Sequence, residues 1–206
     1  MSGGRALAIA AVACALGCAA APAVARDPID VDWRKVATGH DRERLRNWRT
    51  AWVTALTQVR AAKGGAEALA ADPALFDPDR VLAGARLAPG PYRCRVFRLG
   101  GTGVDARPIA SSPWTRCRVA PDADGVAFTS EGAQRASGHL FESTDARTVF
   151  LGTLALGDED RPMRYGRDAR RDMAGVIERI GERRWRLLLP FPGFASTLNV
   201  VDLVPE

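Results

Sequence analysis

Apolar positions divide the chain into two parts with different periods. Between residues 41 and 63, apolar side chains recur every three or four positions, at Leu45, Trp48, Trp52, Leu56 and Val59. This spacing predicts one amphipathic helix whose apolar stripe packs on the rest of the domain. A stripe that faces a membrane surface is the alternative.

Short polar and glycine-containing motifs predict where the helices begin and end. Thr38 followed by Asp41 is typical of a capping box at the start of the long helix. Gly64 and the glycine after it predict its end. Asp77 followed by a proline then predicts the N-terminus of a small second helix.

After Pro89 the period changes to the alternation that is typical of strands. Strand-like runs occupy residues 92–99, 115–119, 126–130, 138–142, 148–156, 174–180, 184–189 and 198–204. Most of the links between them have hairpin length. A sheet of about eight antiparallel strands tends to close, because closure removes its free edges. The fold class is therefore mainly β (α+β by content): an antiparallel meander that closes into a lipocalin-like barrel, preceded by the amphipathic helix and the short second helix.

Two long connections interrupt the meander, at residues 100–114 and 157–173. The first is rich in glycine and predicts a flexible loop. The second is dense in charge, and long loops on a barrel commonly carry binding sites. The candidate ligand-binding residues are Arg164, Tyr165, Arg167 and Asp168 of this loop, with Trp185 on a following strand. The alternative is a solvated loop of paired charges.

The N-terminal 25 residues have the pattern of a secretory signal peptide. Arg5 is followed by an apolar stretch and then by small residues that end at Ala25. The stretch is shorter than the roughly 20 apolar residues that a membrane-spanning helix needs. The predicted organisation is a signal peptide (1–25), an N-terminal linker (26–40), a helical segment on the barrel (41–88) and the barrel domain (89–206).

A second mode of processing competes with cleavage after Ala25. The sequence Ala-Leu-Gly-Cys that ends at Cys18 is similar to a bacterial lipobox, with its leucine one position late. Lipidation of Cys18 would anchor the protein to a membrane leaflet. Both modes predict export, to the periplasm or beyond.

Export changes how the two remaining cysteines are interpreted. Cys94 and Cys117 lie in the matching stretches YRCRV and TRCRV. Because side chains alternate along a strand, both cysteines face the apolar side of their strands. If the strands are neighbours, the thiols meet, and an oxidising compartment favours a disulfide. A reactive thiol pair is the alternative.

Charge and catalytic motifs narrow the function class. The net charge is +5, and arginine supplies all but two of the basic residues, Lys35 and Lys63. The arginines are spread along the chain rather than clustered, so we expect no nucleic-acid binding. The only histidines are His40 and His139, and no hydrolase elbow, zinc motif or phosphate-binding loop occurs. We therefore predict a non-enzymatic protein without a metal or cofactor.

Four stretches resemble a family of exported bacterial proteins known only as a domain of unknown function. They are DRERLRNWRTAWVTAL, PGPYRCRVFRLG, FLGTLALGDED and YGRDARRDMAGVIERIGERRWRLLLPFP. The likeness extends from about residue 41 to residue 206. It implies membership of the family and no particular activity.

A shorter likeness suggests a different class of function. Tyr92 and Cys94, together with the stretch SGHLF, are similar to small disulfide-bonded periplasmic lysozyme inhibitors. The inhibitors' motif is matched only at Ser137 and Gly138.

Three hypotheses follow for a protein that we expect to be monomeric. The first is a barrel that binds a small, partly apolar ligand, with Arg164 or Arg167 at an anionic head and Tyr165 and Trp185 against the body. The second is a protein-binding module of the periplasmic inhibitor type. The third is an envelope structural protein, which would contact the membrane only through a lipid on Cys18. The first predicts a hollow barrel and the second a filled one.

Overall fold

The computed structural model describes residues 31–101, 107–157, 159–193 and 196–206. In this part of the chain, short helices precede the sheet: α1 (Trp33–Val36), α2 (Gly39–Arg46), α3 (Trp48–Ala61), α4 (Gly65–Ala70) and α5 (Pro73–Phe76). The predicted signal peptide with Cys18 lies outside the described residues, as do the first five residues of the predicted linker. The described part of that linker contains α1, a helix that was not predicted.

Every strand-like run in the sequence forms a strand. The strands are β1 (Gly90–Gly101), β2 (Ile109–Ser111), β3 (Thr115–Asp122), β4 (Gly125–Ser130), β5 (Gln134–Thr144), β6 (Arg147–Leu156), β7 (Asp172–Gly181), β8 (Arg184–Pro190) and β9 (Ser196–Pro205). The additional strand, β2, lies in the segment that was predicted to be a loop.

The sheet closes on itself, as predicted. Strands β3 to β9 pair antiparallel with their sequence neighbours, β1 pairs with β3, and β9 returns to pair with β1 along most of its length. The result is a closed barrel of eight antiparallel strands. Strand β2 is extra and pairs with β1 alone among the described strands.

The two ends of the barrel differ in their connections. Tight turns link β3 to β4, β5 to β6 and β7 to β8 at one end, which we call the closed end. The strand ends that the longer connections join, at the ends of β1, β6 and β8, lie at the other, which we call the open end. We use "closed half" and "open half" for the corresponding halves of the interior.

Helix α3 lies against the outside of β1, β8 and β9. Its predicted stripe is buried there: Trp52, Leu56 and Val59 pack with Leu99 and Leu198 of the barrel wall. The core-packing interpretation of the stripe is thus confirmed. None of the helices in the described ranges is long and apolar enough to cross a membrane.

Strand β8 explains why part of the sheet has continuous apolar runs. Leu187 and Leu189 face the barrel interior, whereas Leu188 faces α3. All three side chains are buried, because the wall is covered on both faces. Such a strand loses the alternation that marks a half-exposed one.

The predicted long helix is interrupted. The amide of Asn47 donates to the carbonyls of both Glu43 and Arg44, and its backbone leaves the helical region, which separates α2 from α3. The predicted cap is confirmed at the start of α2, where the Thr38 side chain accepts a hydrogen bond from the Asp41 amide at 3.2 Å. Asparagine is a poor helix former because its side chain competes for backbone hydrogen bonds.

The prediction of a second helix after Asp77 is wrong. The short helix α5 begins one Asp-Pro pair earlier, where the Asp72 side chain accepts from the Leu75 amide at 3.2 Å. The Asp77 side chain accepts from the Asp79 amide at 2.9 Å instead, in a turn. Both aspartates precede a proline and cap the backbone, so this local motif does not decide which of them begins a helix.

A cavity in the barrel as the candidate functional site

The open half of the barrel encloses a cavity of about 480 Å³. All eight barrel strands contribute to it through side chains that alternate inward. The strand residues that line it are Cys94, Val96, Arg98, Thr115, Phe128, Ser130, Gln134, Ala136, Leu154, Met173, Leu187, Leu189, Asn199 and Val201. The lining is mainly apolar, and its volume lies in the range of about 300–1,000 Å³ that is usual for small-molecule sites.

The floor of the cavity is formed by the disulfide and an aromatic pair. Cys94 and Cys117 are bonded across β1 and β3, as predicted, with their Cα atoms 6.0 Å apart. Phe128 meets Phe150 edge to face, with ring centroids 5.7 Å apart. These side chains separate the cavity from the closed half.

Large side chains occupy most of the closed half. Tyr92 and Trp185 meet edge to face inside it, and Leu87 enters from the chain that precedes β1. The Tyr92 hydroxyl donates to the Ala88 carbonyl at 2.8 Å, so the polar end of this buried ring is paired. The barrel is therefore a cup with one open end.

Glycines at inward positions shape the wall around the cup. A Cβ atom on Gly175 would lie 2.5 Å from the Leu188 carbonyl oxygen and 2.7 Å from the Leu187 side chain, so a larger residue would displace the neighbouring strand β8. Gly138 and Gly152 are partners in the β5–β6 ladder. A Cβ atom on Gly138 would lie only 2.2 Å from the Leu151 carbonyl oxygen, which restricts this position to glycine.

Polar side chains gather where the cavity reaches the open end. Arg98 on β1 and Asn199 on β9 are paired in register, and both line the cavity. The Arg98 guanidinium donates to the Gln134 side-chain oxygen on β5 at 2.7 Å. An apolar cup thus carries a cation and two amides at its mouth.

A smaller pocket of about 40 Å³ adjoins this mouth and shares Arg98, Gln134 and Asn199 with the main cavity. Arg170 and Arg171, at the end of the β6–β7 loop, also line it. Arg171 forms a salt bridge with Glu159.

Helix α2 contributes a buried arginine to the same pocket. The Arg44 guanidinium donates to the Asp41 carboxylate at 3.0 Å and to the Asp172 carbonyl at 2.7 Å. Burial raises the pKa of the Asp172 carboxyl group above its usual value, and the Gly166 amide that donates to it opposes this shift. Arginine and carboxylate are thus already paired on this side of the pocket.

The wall beside the mouth is incomplete on one side. Strand β3 pairs with β1 only up to Cys94, and beyond that point β2 takes its place beside β1. Ser112 anchors the crossing, since its side chain accepts from the Val96 amide at 3.0 Å and its amide donates to the Val96 carbonyl at 2.9 Å. Ser112 and Pro113 line the cavity, as do Gly132 and Ala133 of the β4–β5 turn. No ladder joins β2 to this turn among the described residues.

The structure places the predicted ligand-binding residues away from this cavity. The Tyr165 hydroxyl donates to the Asp41 carboxylate at 2.7 Å and accepts from the Thr38 amide at 3.1 Å, on the outside of the barrel. Burial raises the pKa of this hydroxyl well above its usual value. Arg164 and Arg167 are exposed in the same loop.

Two further predicted residues also lie elsewhere. Asp168 accepts from the Arg170 amide at 2.9 Å and so shapes the turn at the end of the loop. Trp185 belongs to the packed closed half. None of the five predicted residues lines the cavity or the pocket beside it.

Arg98, Gln134 and Asn199 line this candidate site and were not predicted from the sequence. Arg98 could have been found, because it continues the inward-facing series of Tyr92, Cys94 and Val96. A charged residue on the buried face of a strand is uncommon unless it is paired or functional.

The stretch similar to lysozyme inhibitors has a structural role. Ser137 and Gly138 lie within β5, which is paired on both sides. Phe141, at the end of the stretch, packs on the outside of the barrel with Trp33 and Leu151. The residues that carry the likeness therefore form part of the barrel wall rather than a protruding loop.

Fold and cavity define the class as a helix-flanked, closed antiparallel β-barrel with a hollow open half. The chain belongs to the family described as a domain of unknown function, DUF4893, whose profile matches residues 33–203. No curated protein and no solved structure has a significant match to the chain.

Proposed function

We propose that this protein is an exported, non-enzymatic barrel that binds a small, mainly apolar ligand inside its open half. The cavity of about 480 Å³ carries this proposal. A barrel of eight strands can fill its interior with its own side chains or hold one small ligand. Here large side chains occupy most of the closed half, whereas the open half is hollow.

The lining favours an apolar body for the ligand. Val96, Leu154, Leu187, Leu189 and Val201 enclose the cavity, and polar side chains occur mainly near the mouth. Burial of an apolar ligand gains roughly 25 cal/mol for each Å² that is removed from water. A polar metabolite would lose its water contacts without finding partners over most of this surface.

Export is the second part of the proposal. Residues 1–25 have the composition of a signal peptide. The buried disulfide suits an oxidising compartment such as the periplasm. We propose cleavage after Ala25, with lipidation at Cys18 as the competing mode. Mass measurement of the protein from fractionated cells distinguishes a chain that starts at Arg26 from one that starts at a lipidated Cys18.

Binding in the cavity is tested with the neutral fluorescent dye N-phenyl-1-naphthylamine. The wild-type protein is expected to bind it in an apolar environment with a blue-shifted emission. Ala136→Phe, which fills the cavity from β5, is expected to lose most of this binding. Ala127→Phe is the matched control, because Ala127 faces outward on the neighbouring strand β4.

Native mass spectrometry of protein purified from its own cell envelope provides the complementary measurement. A co-purified small molecule that is absent from Ala136→Phe supports the proposal. Equal dye binding by wild type and Ala136→Phe would contradict it. Absence of any bound small molecule, together with a stoichiometric protein partner, would favour a protein-binding module instead.

A further inference from the structure

We infer that the ligand is an amphiphile whose anionic head is held by Arg98 at the mouth of the cavity. This inference rests on the proposed function, since it assigns the head of the molecule whose apolar body occupies the barrel. It concerns the side chains of Arg98, Asn199 and Gln134, which line the mouth of the cavity.

Arg98 differs from four arginines on the outer face of the barrel wall. Arg95, Arg147, Arg184 and Arg186 on the outer face each form a salt bridge with a buried carboxylate. Arg98 forms no salt bridge with any residue in the described ranges, and the neutral side chain of Gln134 accepts its hydrogen bond. Its guanidinium has five N–H donors, so most of its capacity remains for a ligand.

A second donor stands beside Arg98. Asn199 is its cross-strand partner, and such side chains are about 4.5–5.5 Å apart at Cβ. The Asn199 side-chain oxygen accepts from the Ser196 hydroxyl at 2.8 Å. The Asn199 amide nitrogen is therefore available to donate, and an oxyanion at the mouth could accept from both residues.

The position of the cation sets the orientation of the ligand. Arg98 lines both the main cavity and the small pocket beside it, and it is only partly exposed. Its inward neighbour on β1 is Val96, so an apolar chain would begin directly below the head. The Gln134 oxygen accepts from one N–H group of Arg98. A carboxylate or phosphate oxygen would replace it, because a hydrogen bond to a charged acceptor is stronger than one to a neutral amide.

Other charges near the mouth leave this role to Arg98. Glu131 also lines the cavity and is exposed, whereas Arg170 and Arg171 line only the smaller pocket. The latter two lie outward from the apolar cup, where they favour the approach of an anion. Arg98 is the one described cation that lines the cup itself.

Displacement of the neutral dye by chain-matched probes tests the inference. Dodecanoate, dodecyl phosphate and dodecanol share one apolar chain and differ in the head. We expect wild type to bind the anionic probes about ten- to a hundredfold more tightly than dodecanol. Any preference that Arg98→Gln shows for the same anionic probes over dodecanol is subtracted from this effect. The better of the two anions identifies the head as a carboxylate or a phosphate.

Arg98→Gln is expected to lose the preference for anions while it retains the binding of dye and dodecanol. Arg118→Gln, an outward-facing exposed arginine on β3, is the matched control and should behave as wild type. Equal affinity of wild type for all three probes would overturn the head assignment and leave cavity binding intact. Failure of every probe and of the dye would overturn the proposed function, and this inference with it.

Discussion

The two halves of the barrel use the same strands for different purposes. In the closed half, the inward positions of β1 and β8 are Tyr92 and Trp185, whose rings pack together. In the open half, the inward positions of β1 include Val96 and Arg98, and those of β8 end with Leu189, around empty space. Strand β5 shows the same change, from Leu140 near the closed end to Ala136 nearer the mouth. The interior passes from packed to hollow within one set of ladders.

The outer face of the closed half carries a buried salt bridge. Outside the closed half, the Arg186–Glu178 salt bridge is completely buried, with a shortest N–O distance of 2.7 Å. Burial lowers the pKa of the Arg186 guanidinium, and the nearby Glu178 charge opposes that effect. Arg186 also stacks on Trp52 of α3, 4.3 Å from the ring centroid. The Arg186 contacts therefore attach the helical segment outside the closed half, whereas Leu56 and Val59 of α3 pack on Leu99 and Leu198 outside the open half.

The largest expected effect follows from removal of the buried arginine. The Arg186 guanidinium donates to Glu178 and to the carbonyls of Leu75, Asp77 and Arg80. Arg186→Met removes one partner from the buried Glu178 carboxylate. It also removes the hydrogen bonds that Arg186 donates to the three carbonyls. We expect a loss of roughly 4–5 kcal/mol in the free energy of unfolding, measured by urea denaturation.

Arg147→Met is the matched control for this prediction. Arg147 pairs with the same carboxylate at 3.0 Å, but 37 % of its side chain is exposed. Its loss should therefore be small, about 1 kcal/mol or less. Equal losses for the two variants would show that burial does not distinguish these ion pairs.

A leucine in each half compares packed with hollow directly. Leu203 on β9 is fully buried in the closed half, whereas Leu189 on β8 borders the cavity. We expect Leu203→Ala to lose roughly 4 kcal/mol of unfolding free energy and Leu189→Ala roughly 2 kcal/mol, because one side of Leu189 already lacks packing partners. Urea denaturation of both variants tests the difference. A larger loss for Leu189→Ala would contradict a hollow open half.

The architecture was predictable because the strands and turns have local sequence signals and closure follows from a general rule about sheets. Strand alternation and turn residues gave eight runs, and the rule that sheets avoid free edges gave closure. The matched settings of Cys94 and Cys117 predicted their bond. The prediction of a helix after Asp77 failed because Asp72 and Asp77 carry the same Asp-Pro motif. Tertiary packing decided between them.

The site was harder to predict, because a cavity depends on how side chains from eight strands fit together. The long charged loop led to the prediction of Arg164 and Tyr165, but Tyr165 contacts Thr38 on the outside of the barrel. Arg170 and Arg171 at the end of this loop reach the pocket by the mouth. Arg98 lies on a strand, where its inward direction follows from alternation alone.

The disulfide marks the boundary between the two halves. It lies at the floor of the cavity and closes a loop with a sequence separation of 23 residues. We expect the Cys94→Ala, Cys117→Ala variant to lose about 3 kcal/mol of unfolding free energy. A reducing agent should lower the stability of wild type by a similar amount and leave the double variant unchanged. An effect of the reductant on the variant would indicate a cause other than this bond.

The smallest expected effect concerns Tyr165, outside both halves. Tyr165→Phe removes the hydroxyl that bridges the Thr38 amide and the Asp41 carboxylate, and should lose about 1 kcal/mol at neutral pH. Because burial raises the pKa of this hydroxyl in the folded state, the unfolded chain ionises first, near pH 10. Wild-type stability should therefore fall as pH rises above about 10, and part of that fall should be missing from Tyr165→Phe.

Tyr92, the other tyrosine, also has a pKa raised by burial, so Tyr92→Phe serves as the comparison in the closed half. Identical alkaline denaturation profiles for Tyr165→Phe and wild type would show that the hydroxyl is not protected by its burial against the start of α2.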